Sequence, residues 1–86
     1  MTPDSAYYLA SHTTRTLIIL ANHRRFYQAI LNDADQAYFD SLITLHMDAI
    51  NRYRRIIERE EDVETRTRKL LIIDAELVEF GRLSTE

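Results

Sequence analysis

The 86-residue sequence contains no cysteine and no tryptophan, one glycine and one proline. Without cysteine there are no disulfides, thiolate metal sites or cysteine nucleophiles, so stability must come from packing or from association of chains. The scarcity of glycine and proline excludes as much. Strands joined by tight turns draw on both residues, one for positive φ and the other for fixed φ, and Gly81 and Pro3 alone cannot supply a β-protein. Long helices are the expectation. A single glycine also leaves no phosphate-cradling loop, and Ser5, Ser11, Ser41 and Ser84 have no nucleophile elbow around them.

Long apolar runs are missing too. The longest uncharged run near the start, Thr16 to Asn22, is far too short to span a bilayer. Met1 to Ala10 holds Asp4 and no Lys or Arg, so it lacks the charge pattern of a secretory signal. A cytoplasmic protein without membrane association is expected. The 14 acids outnumber the 11 cations, giving a net charge of -3, which argues against nucleic acid as the main partner because that affinity comes from phosphate neutralisation. Ten of the cations are Arg and Lys69 is the exception, a balance suited to bidentate contacts with carboxylates.

What is present is helical periodicity in a single domain, residues 1–86, near the size at which one core barely outweighs chain entropy. Thr2 and Pro3 form a helix start, with Asp4 favouring the positive helix end. Two stripes follow: Ala6, Ala10, Thr13, Leu17, Leu20, Arg24, Tyr27 and Leu31, and beside it Leu9, His12, Thr16, Ile19, His23, Phe26 and Ile30. Together they predict a wide buried face on a first helix over residues 4–31. Asn32 to Asp35 reverse the chain. A second helix carries Tyr38, Leu42, Leu45, Ala49 and Ile56, flanked by Phe39, Ile43, His46, Ile50, Tyr53 and Ile57.

The next boundary is ambiguous. Between Glu58 and Lys69 the only apolar residue is Val63, which suits a polar turn near residues 59–63, yet no Gly, Pro or Asn is there to make one. Positions 42, 49, 56, 63, 70 and 77 keep an unbroken seven-residue apolar register, whereas the companion positions 52, 59 and 66 are all Arg. The fold class is all-α: an up-down three-helix bundle, or a helical hairpin with one long C-terminal helix, expected to be dimeric. Short buried strands at Thr16 to Leu20 and Leu70 to Ile73 are a weaker alternative. Leu70, Ile73, Leu77 and Phe80 form the last core stripe, and Gly81 fits a helix end.

Apolar surface is in surplus. Leu17, Ile18, Ile19 and Leu20 are consecutive and fan about 300° around a helix, so one core cannot take them all. Leu70 to Ile73 repeat the problem, with Val78 extending Leu71. A symmetric homodimer with Ile18, Ile19, Leu71, Ile72 and Val78 in its interface is the simplest resolution.

Chemistry is sparse. His12, His23 and His46 all lie on apolar flanks, and a hairpin about residue 33 would bring His23 and His46 within about one helical turn. That pair is the only metal candidate. No acid stands three residues before any histidine, so the ligand motif of di-iron bundles is missing and packing histidines are expected. The stretch His23-Arg24-Arg25 through Gln28-Ala29-Ile30-Leu31 to Leu45-His46 resembles the closing hairpin of the ligand-sensing domain of GntR-type regulators. The resemblance implies a metal- or ligand-sensing role for those histidines, but the DNA-binding domain and the other metal ligands of that family have no counterpart here.

Arg24 and Arg52 are the only cations on core stripes, too few to converge on a substrate, so neither an enzyme nor a cofactor is expected. Arg52 to Arg55 could contact DNA phosphates, but five acids between Glu58 and Glu64 would largely cancel their field. The favoured expectation is a homodimeric protein-protein interaction module, a small regulator, adaptor or chaperone. Its partner would meet Arg52, Tyr53, Arg54, Arg55 and Arg59, with Tyr53 as anchor.

Overall fold

The computed structural model describes residues 1–85, with side chains through Leu83. Three helices account for it: α1 (Pro3–Phe26), α2 (Asp33–Ile57) and α3 (Val63–Thr85). No strand occurs among the described residues, which removes the strand alternative at Thr16 to Leu20 and Leu70 to Ile73. No helix is long and apolar enough to cross a membrane.

Each helix begins where a side chain can satisfy free amides. Thr2 accepts from the Ser5 amide at 3.2 Å ahead of Pro3, and Asn32 accepts from the Asp35 amide at 2.8 Å. Asp62 accepts from both the amide and the hydroxyl of Thr65 at the start of α3, and these bonds hold its carboxyl below the usual carboxylate range. The expected first helix ran to residue 31, but α1 ends at Phe26. Its last turn holds His23, Arg24 and Arg25 against the negative helix end, and residues 27–31 are spent on the reversal that precedes the Asn32 cap.

The doubtful boundary is a real break. Residues 58–62 turn without glycine because other groups absorb the free carbonyls: Arg59 and Glu60 donate back to Ile56 and Ile57, each at 3.0 Å, and Arg66 donates to the Glu60 carbonyl at 3.2 Å. One continuous helix would have required burying Arg59 and Arg66 in the core register. Gly81 corrects the sequence reading in the other direction. It lies inside α3, its φ is not positive, and a Cβ there would meet nothing within 4 Å.

The helix α1 is the middle of the assembly. It packs along both α2 and α3, which meet each other only sparsely, and the molecule measures 48 × 22 × 14 Å. Its buried face consists of Ala6, Ala10, Ser11, Thr14, Leu17 and Ala21. These are mostly small residues, and small residues let neighbouring backbones approach closely. The Thr14 hydroxyl donates to the Ala10 carbonyl at 2.7 Å, so its polar group costs little to bury. Ile50 and Ile57 from α2 and Ile73 from α3 complete the fully buried core, with Tyr7, Ile43, Met47, Tyr53, Ile56, Leu70, Leu77 and Phe80 packed around it.

Charged ties fix the register between helices. Arg24 pairs with Asp40 at 2.8 Å across α1 and α2, and Arg54 with Asp74 at 3.0 Å across α2 and α3. Lys69 is buried, over the Tyr7 ring, where it bonds Asp4 of α1 and lies 3.6 Å from Glu60 of the turn. The Asp4 hydrogen bond and the charges of both acids raise the Lys69 pKa against the opposing effect of burial. Lys69→Ala should lower stability by about 1–3 kcal/mol, through the lost charge-assisted bond and the lost packing of its stem. Because the folded pKa is raised, the ionic part is complete below the ordinary lysine pKa and disappears as pH rises through the folded value. Urea midpoints across an alkaline titration should therefore fall more for the parent chain than for the variant. Equal slopes would remove Lys69 from the account.

Candidate interaction faces

The sequence predicted that both stripes of the first helix would be buried. The structure buries a narrower face and leaves the second stripe in solvent. Leu9, His12, Ile19, His23 and Phe26 are exposed, with Phe26 at 80% and Ile19 at 53%. At 100° per residue this stripe lies about 150° around the helix from the Ala6-Ala10-Leu17-Ala21 face, which makes it the back of α1. Ile18 is only half-buried, so Ile19 and not Ile18 is the outward member of that run.

A second bare face lies on α3. Glu64, Arg68, Leu71, Ala75, Val78 and Arg82 follow one another at alternating steps of four and three, and all are exposed. They stand about 180° from Ile73, so they form the back of that helix. Leu71 is 63% and Val78 72% exposed, and Ile72 lies beside them at 39%. The surplus expected from the runs at 17–20 and 70–73 is present, but it is divided between the backs of two helices instead of forming one patch. Tyr38 and Leu45 add isolated exposed apolar groups on α2.

The residues expected to meet a partner are dispersed. Tyr53 is half-buried and packed against the core, and Arg54 is engaged with Asp74. Both present less free surface than Arg52, Arg55 and Arg59, which remain exposed. The misplacement arises from the register: Tyr53 follows Ile50 by three and precedes Ile57 by four, so it shares their inward face.

The two histidines of the candidate pair sit in different environments. His46 is half-buried on α2, its Nδ1 2.7 Å from the Leu42 carbonyl, whereas His23 is exposed on the back of α1, edge-on to Tyr27 at 6.3 Å. No group of three or more potential metal ligands forms among the described residues. A cleft near the α1–α2 connection is lined by Ala21, Arg24, Arg25, Gln28, Asp40, Ile43 and Leu83, and the Arg24 guanidinium there is already committed to Asp40. The faces that sequence reasoning missed carry Tyr8 and Phe26. Their signal was two bulky and small stripes on one helix, which call for partners on two sides.

Comparison with known protein families, with curated proteins and with solved structures finds no match to this chain. Function is therefore argued from the geometry. Tyr53→Ala should lower stability by about 2 kcal/mol by opening the core edge, while Arg55→Ala changes it by less than about 0.5 kcal/mol. Thermal unfolding of the two variants measures this, and the reverse order would return Tyr53 to the surface.

Proposed function

We propose that the protein is a non-enzymatic interaction module that works as a homodimer and holds another protein, as a small regulator, adaptor or chaperone does. The supporting observation is the pair of bare apolar faces on different helices. A monomer that keeps both exposed carries an aggregation liability, and covering them calls for two contacts. The back of α1 has no formal charge between Leu9 and Phe26 except Arg15, Arg24 and Arg25 at its edges. That suits a persistent contact between copies.

The back of α3 differs. Leu71, Ala75 and Val78 lie between Glu64 and Arg68 at one end and Glu79 and Arg82 at the other, an apolar centre with a charged rim. Charges of both signs at the rim select a partner by complementarity more than by raw affinity. Arg52 and Arg55 lie exposed on α2, on the face opposite Ile50 and Ile57, and Arg59 is exposed in the turn that follows; the three add cationic surface suited to an acidic or mixed-charge protein.

Two measurements test the reading. Light scattering coupled to size exclusion at micromolar concentration should give twice the 10.2 kDa chain mass; one chain at every dilution overturns the dimer. Leu71→Glu with Val78→Glu should keep that mass and helicity while losing proteins that the parent chain retains from native lysate. Identical retention by both would remove α3 from the binding role.

A further inference from the structure

We propose that the second copy covers the back of α1, with the two α1 helices antiparallel and His12 facing the partner's His23 at two symmetric places. This rests on the dimer reading above and assigns its face and register. The stripe Leu9, His12, Thr16, Ile19, His23, Phe26 advances by alternating threes and fours, the spacing of a helix seam, and no element of the chain packs over it.

The stripe also reads alike from either end: apolar, histidine, β-branched, β-branched, histidine, apolar. A two-fold axis between residues 17 and 18 sets Leu9 against the partner's Phe26, His12 against the partner's His23, and Thr16 against the partner's Ile19. Tyr8 and Tyr27 fall at matching levels outside these layers. An isologous interface demands such self-complementarity, with each residue and its counterpart exchanging roles across the axis.

Charge favours the antiparallel arrangement. Parallel pairing would bring together the two clusters His23, Arg24 and Arg25 at the C-terminal ends of α1, and would align the helix dipoles. Antiparallel pairing moves each cluster toward the end that carries Asp4. At the rim, Arg15 is tied to Ser11 at 3.1 Å and meets no like charge in this register. Area is sufficient as well. A whole aromatic side chain buries about 150–250 Å², so the exposed parts of Tyr8, Leu9, Ile19 and Phe26 offer roughly 400–500 Å² per chain. Two copies with their histidines and threonines then reach the roughly 1,000 Å² of a specific interface.

The histidine layers meet no carboxylate of α1. Residues 8–16 and 19–27 contain no acid, so Arg15, Arg24 and Arg25 are the nearest charges on α1, and neither α2 nor α3 covers the face.

The natural absence of cysteine makes the register directly readable. Leu9→Cys chains mixed with Phe26→Cys chains should form a disulfide-linked heterodimer on mild oxidation, and neither variant should cross-link alone. In the antiparallel register two copies of position 9 lie about 25 Å apart along the axis, far beyond the roughly 7 Å Cα separation that a disulfide spans. Thr16→Cys with Ile19→Cys repeats the test at the central layer if the terminal layers are perturbed. Cross-linking of Leu9→Cys or Phe26→Cys alone, or no cross-linking in either mixture while the mass is that of a dimer, overturns the face and register alone. A monomeric mass for the parent chain overturns the dimer reading itself.

Discussion

Close contact through small side chains governs this fold. The helix α1 turns Ala6, Ala10, Thr14, Leu17 and Ala21 to its neighbours, and that choice decides where everything else goes. With α1 buried on its slimmest face, α2 and α3 dock on either side of it and hardly meet. The bulkier stripe of the same helix is then left outside, because the two cannot face one core from about 150° apart. The position of α3 depends on the same contact: Lys69 reaches Asp4 and the Tyr7 ring of α1 while its stem crosses the junction with the turn. The exposed apolar faces are consequences of which stripe the core accepts.

Much of the fold was legible in the residues. Thr2 with Pro3 and Asn32 marked two helix starts because capping is a local matter of one side chain and a few amides. The stripe Leu70, Ile73, Leu77 and Phe80 was legible because on α3 the apolar period and the core direction coincide. The turn at 58–62 was only half legible. It lacks turn residues and is held by Asp62, Arg66 and Lys69 bonding to Thr65 and Glu60 nearby, with Lys69 alone reaching a distant partner, Asp4 of α1.

The face of α1 was half legible: the stripe through Ala6, Ala10 and Leu17 is buried as expected, while the stripe through Leu9, Ile19 and Phe26, also expected inside, is exposed. Hydropathy weighs Leu, Ile and Phe heavily and Ala, Ser and Thr lightly, so the stripe with the larger side chains looks like the core. Packing distance is decided by the small ones. Tyr53 was read both on the stripe of Ile50 and Ile57 and as a partner anchor among arginines, and the structure packs it beside those isoleucines. On a helix with two apolar stripes, hydropathy alone does not distinguish the stripe that the core accepts.

The enclosure of Lys69 has a consequence for covalent chemistry. It is the only lysine of the 86 residues, and its side chain is 10% exposed between two carboxylates. Acetylation, ubiquitin-type conjugation and other acyl transfers require a neutral, reachable ε-amine. In the folded chain that amine is both enclosed and held protonated, so side-chain acylation has no accessible target. It becomes reactive when α3 lifts from α1. The rate at which this single amine is labelled is therefore a clock for the opening of the third helix.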